Sequence, residues 1–76
     1  MVDGATGSYR HFHDELNTLK QRLLSMSERA ESLVELSVEA LWERDKEKAE
    51  AVIDGDRDLD RMEVEAENLA ISLLAL

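Results

Sequence analysis

Seven acidic residues fall between Asp54 and Glu67, and their spacing is what could do chemistry in this sequence. On a helix turning ~100° per residue, placing Asp56 at 0° puts Asp60 at about 40°, Glu63 at about −20° and Glu67 at about 20°. These four carboxylates share one narrow stripe, while Asp54, Asp58 and Glu65 point to the opposite side with Arg57 and Arg61 close by. Like charges one turn apart destabilise a helix by a few tenths of a kcal/mol per pair, so the stripe calls for a cation. A hard metal ion would supply it. All-oxygen ligation suits magnesium, calcium, manganese or iron, and the absence of histidine from the stripe disfavours zinc and copper. Asp56 and Asp60 stand one turn apart and can share or bridge ions, Glu63 joins them on geometry, and Glu67 is a further candidate. A pair spaced i,i+4 does not close a coordination sphere, so other ligands have to come from another helix, another subunit or water. The alternative is a solvated acidic face with no ligand.

Other chemistry is sparse. There is no cysteine, and no nucleophile stands beside a base. A di-iron bundle would need Glu-x-x-His motifs that the sequence lacks. These absences point to a binding or structural module rather than an enzyme. His11 and His13 lie two residues apart, on different faces of a helix start, and read as surface residues. Met26 and Met62 fall on apolar stripes as core fillers, and Trp42 reads as a packing cap at a turn. Gly55 interrupts a helical stretch at a cost of about 1 kcal/mol against alanine. It marks either the close approach of another backbone or a tolerated defect.

The elements that must position the stripe are helical. No proline is present, and between the glycines at positions 4, 7 and 55 the chain is rich in Leu, Ala, Glu, Lys and Arg. Residues 1–8, with two glycines and no periodicity, read as a flexible leader, with Ser8 as a helix N-cap. Helix one is expected over about 9–44, because Phe12, Leu16, Leu19, Leu23, Met26, Ala30, Leu33, Ser37 and Ala40 recur in steps of four and three. Leu24, Leu36 and Trp42 lie off that stripe and suggest a second neighbour. The stripe loses phase around Trp42–Lys46, where Asp45 can cap a second helix over about 46–76. The rival is one unbroken helix, which would bury nothing within its own chain. An antiparallel hairpin instead lets Val52, Leu59, Met62, Ala66, Leu69, Ala70 and Leu73 face helix one. Ile53, Val64, Ile71 and Leu74 lie outside that arc, and residues 70–76 are nearly apolar all round. Such an end expects further cover: a third helix, or a second copy meeting Ile71, Leu74 and Leu76 in a dimeric four-helix bundle.

Size and charge agree. A chain of 76 residues makes one small domain with a marginal core, and it has neither disulfides nor a zinc site to reinforce it. A formal charge of −9 repels a phosphate backbone and argues against nucleic-acid binding. No apolar run approaches the ~20 residues a membrane-spanning helix needs, and no signal peptide opens the chain, so it reads as soluble and not secreted.

Taken together, Phe12-His13-Asp14-Glu15-Leu16, the Arg44-Asp45 turn, Ala49 with Val52-Ile53, the run Asp56 to Glu63, and the ending Ile71 to Leu76 resemble the start of a PhoU-family protein. The resemblance covers almost everything from Tyr9 to Leu76. It implies the first two helices of a three-helix bundle, one of two similar bundles in such proteins. It also implies a cytoplasmic negative regulator of phosphate uptake that works with a phosphate ABC transporter and its sensor histidine kinase. Family members bind metal clusters through E/D-x-x-x-D motifs, and Asp56-Arg57-Asp58-Leu59-Asp60 matches the first of these. The implied metals are iron, manganese or magnesium. The third helix of the first bundle, with its matching acidic motif, and the whole second bundle are missing from the 76 residues, so the sequence reads as truncated.

Overall fold

The computed structural model describes residues 2–75, with side chains from residue 9 onward, and consists of two α-helices packed as an antiparallel hairpin. Helix α1 spans Val2–Glu43 and α2 spans Lys46–Leu74. The helical start lies earlier than expected, since residues 2–8 continue α1 instead of forming a leader. Once a helix is nucleated, each added residue gains a hydrogen bond, and glycine opposes this by only about 1 kcal/mol. The backbone of Ser8, the expected cap position, therefore lies inside α1. Leu76 lies outside the described residues.

The reversal takes two residues, Arg44 and Asp45. The Asp45 backbone N–H donates to the Ala40 carbonyl at 3.0 Å, and Arg44 adopts φ 54°, the left-handed conformation. This is a Schellman C-cap in which arginine holds the position that glycine usually takes. Asp45 then begins the next helix, its side chain accepting a hydrogen bond from the Lys48 N–H at 3.1 Å. One aspartate closes α1 with its backbone and opens α2 with its carboxylate. The last turn of α1 carries no basic residue of its own. Lys48 reaches back from α2 to Glu39, at 3.3 Å, and to Glu43. The hydrogen bond to Glu43, then that to Glu39, raise the Lys48 pKa above the ordinary lysine value.

The helices meet along one seam. Ala40, Ala66 and Leu73 are buried, while Leu19, Met26, Ala30, Leu33, Val52, Leu59, Met62, Leu69 and Ala70 are half-buried along it. The expected inward faces of both helices are thus the observed ones. Ile53, Val64, Ile71 and Leu74 stay exposed, as the helical wheel requires. Trp42 corrects the sequence reading: it is 88% exposed and packs as no cap. The tight Schellman turn leaves no chain passing over that end for an indole to cover. Phe12 and Leu23, nominally on the seam, are also exposed, because a single facing helix covers only a narrow arc.

At Gly55 the two helices fit closely. A Cβ built there would overlap the Leu33 Cδ2 methyl, with Leu33 Cγ at 3.5 Å. The missing side chain receives a leucine knob from α1 rather than another backbone.

Candidate functional site

Pairing between the helices sorts the carboxylates of α2 into two groups. On one face of the hairpin Arg22 reaches Glu65 at 3.0 Å, and Arg29 lies 4.0 Å from Asp58, which also meets Arg61 at 3.5 Å. Among the described ion pairs, none involves Asp56, Asp60, Glu63 or Glu67. All four are exposed. The wheel reading separated these groups correctly, and Arg61 moderates Asp58 as expected. It missed Arg22 and Arg29, whose partners lie 43 and 29 residues away in sequence. The legible signal was the spacing of seven shared by Arg22–Arg29 and Asp58–Glu65, which becomes a pairing only once the turn at Arg44–Asp45 sets the register.

The unpaired group borders an open apolar trough. In one stretch of 420 Å³, Asp56 stands beside Ile53 and Leu59 and faces Ala30, Leu33 and Val34 of α1. Farther from the turn, Glu63 and Glu67 flank Ala66 and Ala70 opposite Leu19, Leu23 and Met26. Asp60 follows Asp56 by one turn on the same side. The floor of this trough is the seam itself, and its α2 rim is the acidic row. On the opposite face the clefts are lined mostly by polar and charged residues, among them Gln21, Arg22, Ser25, Arg29 and Glu65, around Met62. The two sides of the hairpin therefore differ chemically: one carries the ion pairs of Arg22 and Arg29, and the other is apolar and edged with carboxylates.

Chemically the row offers oxygen donors to a cation. Among the described residues, however, no three His, Asp or Glu side chains lie close enough together to hold a metal ion. A row on one helix presents its carboxylates along a line, whereas a coordination sphere needs donors converging from several directions. His11 and His13 are both exposed; His13 lies 4.4 Å from the Tyr9 ring, centroid to centroid, at the far end of α1. Among the described residues, no helix is long and apolar enough to cross a membrane.

Over the described residues, fold and site together define a helical hairpin module with ion pairs along one face and an apolar, acid-edged trough along the other. The family model described as the PhoU domain matches residues 23–76, and the chain belongs to that family. The match takes in the turn, the acidic row and all of the trough but Leu19, and begins after the Phe12–Leu16 segment that contributed to the sequence resemblance. Comparison with curated proteins and with solved structures gave no match.

Proposed function

We propose that this protein is a regulatory binding module of phosphate uptake and phosphate-starvation signalling in the cytoplasm. It works by contact with the phosphate ABC transporter and its sensor histidine kinase, and it carries out no catalysis of its own. The observation that carries this reading is the PhoU-domain match over residues 23–76. Within it, Asp56 and Asp60, with Glu63, form part of the ligand set for iron, manganese or magnesium, and donors from another helix, another subunit or water complete it. The support is their placement in one row, unpaired, on the open side of the hairpin.

The test is expression in a bacterial strain lacking its own PhoU-type regulator. Restored repression of phosphate uptake is expected, and an unchanged starvation response would refute the regulatory reading. In parallel, titration with manganese, iron or magnesium should raise thermal stability, and the double variant Asp56→Ala with Asp60→Ala should lose the response. If neither the protein nor the variant responds, the metal assignment fails while the regulatory reading stands on the first test.

A second reading, self-association into a dimeric four-helix bundle, is favoured by the exposure of Leu41, Ile71 and Leu74. Sedimentation at micromolar concentration decides it, a monomeric mass being incompatible with it.

A further inference from the structure

The ion-paired face of the hairpin has a sulfur at its centre. Met62 is half-buried in the seam, and it is also the α2 residue shared by two clefts of 370 and 440 Å³ that open on that face. With no cysteine in the chain, the only sulfur a peroxide meets is the thioether of methionine. We propose that Met62 is a reversible oxidation site whose sulfoxide is held by hydrogen-bond donors already arranged around it. In the forward step a lone pair of the Met62 sulfur attacks one oxygen of hydrogen peroxide. The O–O bond breaks, an S–O bond forms, sulfur loses two electrons, and the second oxygen leaves as water. A dithiol-dependent reductase reverses the change, releasing the oxygen as water and forming a disulfide in the reductant. This site is separate from the acidic row and does not depend on the phosphate-regulatory reading.

The surroundings select Met62 over Met26. A thioether is a weak acceptor, whereas a sulfoxide is strongly polar and needs a donor when half-buried. From α1, the clefts around Met62 are lined by Gln21, Arg22, Ser25 and Arg29, all of which carry donors. Among the described hydrogen bonds none engages the side chains of Gln21 or Ser25, and Arg29 stands 4.0 Å from Asp58, beyond hydrogen-bond length. Donors are therefore free for a new acceptor, and the Arg22–Glu65 bond need not break. Met26 has the opposite setting. It lies with Leu19, Leu23, Ala66 and Ala70 and with the carboxylates Glu63 and Glu67, and none of these side chains donates at neutral pH. A sulfoxide there meets only apolar groups and acceptors, so its oxygen is left unsatisfied or forces the chain apart.

The experiment uses the full chain and two variants that each keep one of the two seam methionines, Met26→Leu and Met62→Leu, swaps that conserve volume. Each protein is treated with hydrogen peroxide, followed by peptide mass spectrometry, and melted by circular dichroism before and after. In the unaltered chain Met62 is expected to gain one oxygen at a rate within about tenfold of free N-acetylmethionine. A slower rate overturns the proposal, because the sulfur is then closed to peroxide. The Met62 sulfoxide, formed in Met26→Leu, should lower the melting temperature by less than about 5 °C, and the Met26 sulfoxide, formed in Met62→Leu, by at least about twice as much. Equal shifts at the two sites, or a larger one at Met62, overturn it as well. Removing the donors in the Met26→Leu protein, by Gln21→Ala, Ser25→Ala and Arg29→Ala, should at least double the shift that oxidation of Met62 causes. A shift left unchanged shows that the sulfoxide oxygen rests in water and that the cleft does not hold it. Methionine sulfoxide reductases of both stereospecificities, with dithiothreitol, should restore the mass and the melting temperature. A Met62 sulfoxide that they leave unrepaired is damage, and the assignment of a reversible site falls.

Discussion

At the scale of single residues the hairpin turn is the most exacting part of the chain. Asp45 both receives the end of α1 and caps α2, so its side chain and its backbone have separate duties. Replacing Asp45 with alanine removes the carboxylate acceptor and leaves the backbone bond, and should cost about 1 kcal/mol, the usual loss for an N-cap. Urea denaturation followed by circular dichroism would show it as a lower midpoint with an unchanged slope. Arg44 is the opposite case. Its φ of 54° is a conformation that glycine adopts without strain and arginine does not. Arg44→Gly is therefore expected to leave stability unchanged or raise it by up to about 1 kcal/mol, the strain relieved at φ > 0 being offset by the greater freedom of an unfolded glycine. A marked loss would mean that the arginine side chain itself holds the turn.

At the scale of elements, the register of the two helices depends on the close fit at Gly55. Alanine there gains about 1 kcal/mol of helix propensity, but its methyl must displace the Leu33 Cδ2 group. Leu33 is half-exposed and lines the trough, so its terminal methyl has room to move. Gly55→Ala should consequently alter stability by less than about 1 kcal/mol, the propensity gain and the packing loss nearly cancelling. Gly55→Leu cannot be accommodated in this way. It should force the helices apart and cost about 1–3 kcal/mol, the range for overpacked positions. Thermal melts of both variants measure the contrast, and equal effects would show that Leu33 does not seat against Gly55.

At the scale of the whole molecule, shape and charge decide the behaviour. The hairpin measures 64 × 15 × 13 Å with a radius of gyration of 18.0 Å, against about 11 Å for a compact globule of this length. It therefore has one seam in place of an enclosed core, and among the described residues twelve large apolar side chains are exposed. The described ion pairs are on the surface, where each is worth about 0–1 kcal/mol, whereas the charge of −9 acts on every residue pair within a screening length. Repulsion should dominate. Raising salt, which shortens the Debye length from about 30 Å at low ionic strength to about 8 Å at physiological ionic strength, is expected to raise the melting temperature. A fall on adding salt would mean that the pairs of Arg22, Arg29 and Lys48 outweigh the net repulsion.

Much of this architecture was legible before any coordinates, because helical periodicity is a local property. The steps of three and four from Leu16 to Ala40 defined the buried side of α1, Asp45 announced a cap without help from glycine or proline, and the wheel divided Asp56, Asp60, Glu63 and Glu67 from Asp58 and Glu65. The start of α1 was less legible, since propagation along a formed helix overrides two glycines near a chain end. Only the tertiary structure decided the rest. Which carboxylates find arginines, why Gly55 is a glycine, and that Trp42 covers nothing all depend on the register between two helices, set by the two-residue turn. Periodicity along one strand of chain specifies which way a residue points. What it points at is a property of the pair of helices, and that is why the acidic row was visible in the sequence while the apolar trough beside it was not.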